Sequence, residues 1–289
     1  MLEKRQNRKL FLFIMPALII YLTFYIIPMF NGLYYSMTDW NGMSPTKKFV
    51  GLSNYAKIFT DAETLKAVSN TLIYTIVVTS LSIVIGFVLA LALEKASRMN
   101  YVYRTIIFAP AVLSPVVASF IWKYMYSPNS GIINTILQGI GLDFLKKDWL
   151  GNPKLALYSV MLVPLWQWGG NVMIVFLAGL MNISPDYYDA AAIDGVNGWQ
   201  KVRYIIIPLI KPAIVFNVII STIGSLKTFD FIFIMTNGGP GFSSEVLTLR
   251  IYKYMLYTPK FGYGSAVAVM LTAIVVIFSL VEYRLLSKD

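Results

Sequence analysis

Six stretches of about 20 residues with few or no charged side chains run through this 289-residue chain, and they constrain its fold more than any other feature. They cover 10–30, 71–93, 105–125, 155–183, 213–235 and 265–281, and charges occur only in the third, Lys123, and the fifth, Lys227 with Asp230. Each is long enough to cross a hydrocarbon layer of about 30 Å as a helix. Besides a closed barrel, a helix is the one spanning conformation in which every backbone amide finds a partner without water. Composition agrees, with 57% of residues hydrophobic and 13% charged, against about 25% charged in ordinary soluble domains. The expected fold is an all-α integral membrane protein of six transmembrane helices, with 1–289 forming one transmembrane domain.

The first stretch follows Lys4, Arg5, Arg8 and Lys9 and has two possible readings, a cleaved signal peptide or a span. A signal core is typically about 7–15 residues and ends at small residues; this stretch is longer and ends in Tyr25, Pro28 and Met29, so it reads as a span. The net charge of +10 is explained by position. Lys95, Arg98, Arg104, Lys201, Arg203, Lys211, Arg284 and Lys288 fall on the same side as the basic tail, at about twice the density of the other side, the bias of cytoplasmic loops. Both termini are therefore expected in the cytoplasm, and a nucleic-acid surface is the weaker reading of the charge. Cysteine and histidine are absent, which excludes disulfides, thiolate metal sites, Cys nucleophiles and His bases. No catalytic or metal-ligating set is expected.

The cytoplasmic segment 184–212 carries the most information. Asp186 is expected to cap a helix starting near Tyr187, with Ala190, Ala191, Ala192 and Ile193 as good helix material and Gly195 as its end. Asn197 or Gly198 then starts a second short helix, and Pro208 and Pro212 mark entry to the fifth span. Helix, glycine turn and helix make a compact knob with small side chains on its first arm. Such a knob can dock into a groove of another protein, or lie on the membrane surface as an amphipathic connector.

Here the chain resembles the membrane-spanning permease subunits of binding-protein-dependent ATP-binding cassette importers. Their cytoplasmic signature is Glu-Ala-Ala, three residues, Gly, nine residues, then Ile, any residue, Leu and Pro. Asp189-Ala190-Ala191, Gly195, Ile205 and Pro208 stand at the same intervals, with Asp189 in place of Glu and Ile207 in place of Leu. Tyr188, the Ile193-Asp194-Gly195 triplet, Thr236 to Gly241 and Phe261 to Ala266 resemble the carbohydrate-uptake branch in particular. The resemblance implies the type I importer permease fold, with 184–212 as its coupling loop. It also implies that this chain, in the cytoplasmic membrane of a bacterial or archaeal cell, is half of a pore for a sugar or oligosaccharide, completed by a second permease in a heterodimer, a cytoplasmic ATPase dimer and an extracellular solute-binding protein. Asp189, Ala190, Ala191, Asp194, Gly195, Ile205 and Pro208 would meet the ATPase or fix the knob. The chain has no Gly-x-x-x-x-Gly-Lys-Ser/Thr loop, so it is a transport subunit and not an enzyme, needs no cofactor of its own, and leaves ATP and magnesium to a partner. The external loop at Gly238 to Gly241 is expected near the docked binding protein.

Two clusters are candidates for the translocation path. Lys227 and Asp230, at i and i+3, are costly inside a span; as one helical face they can neutralise each other, or they can face a water-filled route, and both readings stand. In the fourth span Trp166, Gln167, Trp168 and Asn171 gather aromatic and amide groups suited to sugars, beside Gly169 and Gly170. The competing reading is helix packing and interfacial anchoring. Asn217 in the fifth span is a further candidate. The alternative function is an ion-coupled secondary transporter or channel that uses the charged pair.

Overall fold

The computed structural model describes residues 14–287; the start of the first expected span, 10–13, with the basic tail before it and Lys288, lies outside them. The described residues form helices apart from turns, loops and one antiparallel bridge between Thr38 and Phe49. In chain order the helices are α1 (Ile14–Ser36), α2 (Ser53–Ile58), α3 (Ala62–Ala92), α4 (Arg98–Val112), α5 (Pro115–Met125), α6 (Ile132–Gly139), α7 (Ala156–Met181), α8 (Pro185–Ile193), α9 (Gly198–Leu209), α10 (Lys211–Leu226), α11 (Asp230–Met235), α12 (Leu247–Leu256) and α13 (Phe261–Ser287). By length and composition α1, α3, α7 and α13 can each cross a membrane alone. Two more spans arise if each bent pair counts as one: α4 with α5, bent by 98°, and α9 with α10, bent by 74°.

The third and fifth expected spans are therefore not the continuous helices that the charge pattern implied. In the third, Pro115 forces Ser114 into an extended conformation (ψ 149°), because the ring of a proline crowds the residue before it. Leu113 is extended as well, and a new helix starts with Ser114 accepting from the amide of Val117. The fifth stops at Leu226, resumes at Asp230, and leaves Lys227 to Phe229 as a non-helical joint. The freed groups of that joint are satisfied: the Thr248 hydroxyl donates to the Thr228 carbonyl, and the Thr228 hydroxyl donates to Tyr74 Oη at 3.2 Å. Proline also shapes α1 and α9. Each contains one wide helical turn, Leu22–Ile26 and Val202–Ile206, ending two residues before Pro28 or Pro208, where the ring would otherwise strike a carbonyl of the preceding turn.

The chain forms two compact units, Met1–Asp61 with Ile251–Leu271 and Ala62–Arg250 with Thr272–Asp289. In the second, α7 packs along α3, and α10 packs on both. Gly86 makes the first contact possible, since a Cβ there would lie 2.5 Å from Val172 Cγ1. Below it Ala90, Leu93, Phe176, Leu180, Ile206 and Ile210 share one core, with Phe87 and Phe176 edge to face at 5.5 Å. In the first unit Trp40 packs between Tyr35 and Phe261 with ring centroids at 4.6 and 4.8 Å. Asn54 donates to the carbonyls of Ser36 and Thr38, both at 2.8 Å, and Asp61 accepts from the hydroxyls of Tyr254 and Tyr263.

Candidate functional site

The knob between α7 and α10 forms as two helices around a glycine turn, with a different first cap. Ser184, not Asp186, opens α8: its hydroxyl accepts from the Asp186 amide, and Pro185 takes the first helical position. Gly195 (φ +69°) turns the chain in the left-handed region, and no other atom lies within 4 Å of where its Cβ would be. Asn197 and Gln200 then cap α9 reciprocally, the Asn197 side chain accepting from the Gln200 amide at 2.9 Å and the Gln200 side chain from the Asn197 amide at 3.0 Å.

The knob is fixed to the core on one side and open on the other. Ala191 is buried and so faces the chain's own interior; Ile206 and Ile210 carry the anchoring contacts, whereas Ile205 is half-buried and Pro208 exposed. Tyr188 donates to Glu94 Oε1 at 3.0 Å, just past the end of α3, and Lys201 Nζ sits 3.9 Å from its ring centroid. Partial burial first, then the hydrogen bond and charge of Glu94, push the Tyr188 phenol up to about 12. Arg104 closes the same corner by donating to the carbonyls of Leu93 and Glu94. On the open side stand Tyr187, Asp189, Ala190, Asp194 and Gly195, with Ile193 87% and Trp199 69% exposed. Sequence reasoning missed the Tyr188–Glu94 bond, because nothing in the spacing announces a contact across 94 residues.

A cavity of about 420 Å³ lies among α3, α7, α10 and the joint before α11. Trp168, Asn171, Asn217, Lys227 and Asp230 line it, joined by Tyr74, Ser221 and Ser225. The two other candidates from the fourth span do not. Gln167 is fully buried and donates from Nε2 to the Leu113 carbonyl at 2.7 Å, the group that the break between α4 and α5 strips of its helical partner. Trp166 packs edge to face on Trp122 at 5.7 Å. Gly170 belongs to the same docking edge, since a Cβ there would lie 2.6 Å from the Ile107 carbonyl oxygen. Asn217 is mostly buried and donates weakly to the Val172 carbonyl at 3.4 Å.

Lys227 and Asp230 do not neutralise each other. The joint ends the helix that would have aligned them, both side chains are exposed, and among the described residues neither forms an ion pair or a side-chain hydrogen bond. Lys123, the charge in the third expected span, closes the end of α11 by donating to the Ile234 carbonyl at 2.9 Å.

The Thr236 to Gly241 segment is a tight turn, with Asn237, Gly238, Gly241 and Phe242 all at positive φ. Asn70 of α3 holds it, donating to the carbonyls of Phe242 and Glu245 at 3.1 and 2.9 Å. Arg250 joins the buried Glu245 at 3.0 Å and also pairs with Glu63. A Cβ on Gly238 would lie 2.8 Å from Glu245 Oε2, so only glycine lets the turn close over that carboxylate.

Comparison with known proteins gives one consistent answer. A probable ABC transporter permease of Pyrococcus horikoshii is 37% identical over 268 residues, covering 92% of each chain. The multiple sugar-binding transport system permease protein of Streptococcus mutans is 34% identical, covering 96% of this chain and 94% of its own. The lactose transport system permease protein of Rhizobium radiobacter is also 34% identical, covering 94% and 92%. Among solved structures, a chain of a bacterial ABC transporter that imports the acidic polysaccharide alginate superposes with a TM-score of 0.85 at 24% identity, covering 99% of this chain and 98% of its own. Residues 54–288 match the family described as the binding-protein-dependent transport system inner membrane component, and with more than half the chain inside that match, the protein belongs to this family of membrane-spanning permeases.

Proposed function

We propose that this permease forms half of the translocation pore of an ATP-driven importer of a sugar or oligosaccharide, and that the knob of α8 and α9 is its coupling device. The observation that carries the second part is the two-sided build of the knob. Tyr188, Ile206 and Ile210 tie it to α3, α7 and α10, while Ile193 and Trp199 stand bare. Covering one such side chain is worth about 1.5–3 kcal/mol, so the open face fits a groove in a cytoplasmic ATPase dimer. Asp189 and Asp194 supply the charged contacts there, and Ala190 and Gly195 allow close approach. A push on the knob is then delivered to the three helices that wall the cavity. Trp168, Asn171, Asn217, Lys227 and Asp230 line this chain's share of the path, and a second, similar permease supplies the rest as a heterodimer. Both termini lie in the cytoplasm, the solute-binding protein docks outside near Gly238 to Gly241, and the whole chain works as one membrane-embedded domain.

The test is Gly195→Trp, with Gly195→Ala as control. Both pay the left-handed strain of about 1–2 kcal/mol, and neither Cβ meets another atom of the chain. The tryptophan variant is expected to insert and assemble with its partner permease while sugar uptake is lost, with the alanine variant close to wild type. Undiminished uptake by Gly195→Trp overturns the coupling role.

A further inference from the structure

We infer that the cavity selects for uncharged glycans, with Asp230 as the residue that turns acidic ones away; this rests on the reading of that cavity as the sugar path. Its wall carries one cation and one anion, Lys227 and Asp230. Neither is consumed by an ion pair or a side-chain hydrogen bond among the described residues. Lys227 opens the three-residue joint between α10 and α11 and Asp230 directly follows it, so a ligand at the joint meets both.

A neutral sugar suits such a wall. Its hydroxyls donate to the carboxylate and accept from the ammonium, its C–H face packs on Trp168, and Asn171 offers an amide. A glycan with an acid on every ring cannot place all its charges beside Lys227. At least one lies nearer Asp230 than Lys227, and at an effective dielectric constant of about 20 a carboxylate about 5 Å from the one and about 9 Å from the other is disfavoured about tenfold. The pair therefore gives no net pull on a polyanion and a penalty for each carboxylate near Asp230. A path for acidic glycans would be expected to present free cations alone.

The experiment uses the whole importer in lipid nanodiscs without its binding protein, so that the permease alone discriminates, with direct titration of lactose, maltotriose and trigalacturonate. Trigalacturonate is expected to bind at least tenfold more weakly than the better neutral sugar, a gap of about 1.4 kcal/mol, and the gap is expected to shrink on raising salt from 0.02 to 0.5 M. Asp230→Asn, whose amide oxygen still accepts from a sugar hydroxyl, is expected to narrow the gap to about threefold, read as the ratio of acidic to neutral affinity within that variant. Because Asp230 starts α11, the salt series on wild type stands as an independent readout if that variant fails to fold. Equal binding of neutral and acidic probes, or a gap indifferent to both salt and Asp230→Asn, overturns the inference and leaves the sugar path standing. Uptake of a neutral sugar through the binding protein, with no binding of that sugar in the cavity, overturns the path itself.

Discussion

Gly169 and Gly170 are neighbours in α7, yet alanine at the two positions should act in opposite directions. At Gly170 the new methyl would lie 2.6 Å from the Ile107 carbonyl oxygen and 2.7 Å from Phe108 Cα. Both are main-chain atoms of α4 and cannot swing aside, so the helices must part, an overpacking cost of about 1–3 kcal/mol. At Gly169 no atom lies within 4 Å, and alanine brings only its better helix propensity of about 0.8–1.0 kcal/mol. That propensity gain is common to both variants and cancels in their difference, which isolates the clash. With about 2–4 °C of melting temperature per kcal/mol for large domains, Gly170→Ala should melt about 2–12 °C below Gly169→Ala. Thermal denaturation of the purified complex in one detergent measures it. Equal melting temperatures would refute the claim that α7 docks main chain to main chain on α4.

Gln167→Leu should destabilise the complex by about 1–3 kcal/mol in the same assay, because it takes the donor from the Leu113 carbonyl, while sugar affinity stays unchanged. Arg250→Met removes the guanidinium that stands 3.0 Å from the buried Glu245 and should cost about 3–5 kcal/mol; urea or thermal unfolding that matches wild type would contradict it. Tyr188→Phe removes the bond to Glu94. The Tyr188 phenol is pushed up from 10.0 to about 12, so its protonated form is favoured by folding. The stability it adds is complete below pH 10 and is lost as pH rises through 12. The stability difference between wild type and Tyr188→Phe should therefore be constant at neutral pH and vanish across that window.

Hydrophobic run length gave the long apolar helices and their order, because a membrane leaves the chain few other options. The knob was equally legible, since Gly195, Asn197 and the prolines act locally on the backbone. The breaks were harder. Lys227 and Asp230 inside an apolar run, and Pro115 after Ser114, were the available signals of helices that stop and restart. Gln167 shows the limit of reasoning from residue type, because an amide in a membrane helix suits a sugar and an orphaned carbonyl equally well. Only the position of Leu113 decides between them. The cluster in which the buried Glu245 and Arg250 meet the exposed Glu63 joins residues far apart in sequence and had no local signature.

The proposal that ATP, acting through the knob, drives a sugar across the membrane is tested by uptake of labelled sugar into proteoliposomes holding the complete importer, with the binding protein outside and either ATP inside or an imposed proton or sodium gradient. Uptake is expected to require internal ATP, to ignore the gradients, and to disappear in Gly195→Trp while the complex stays assembled. Uptake that follows an ion gradient without ATP would contradict it.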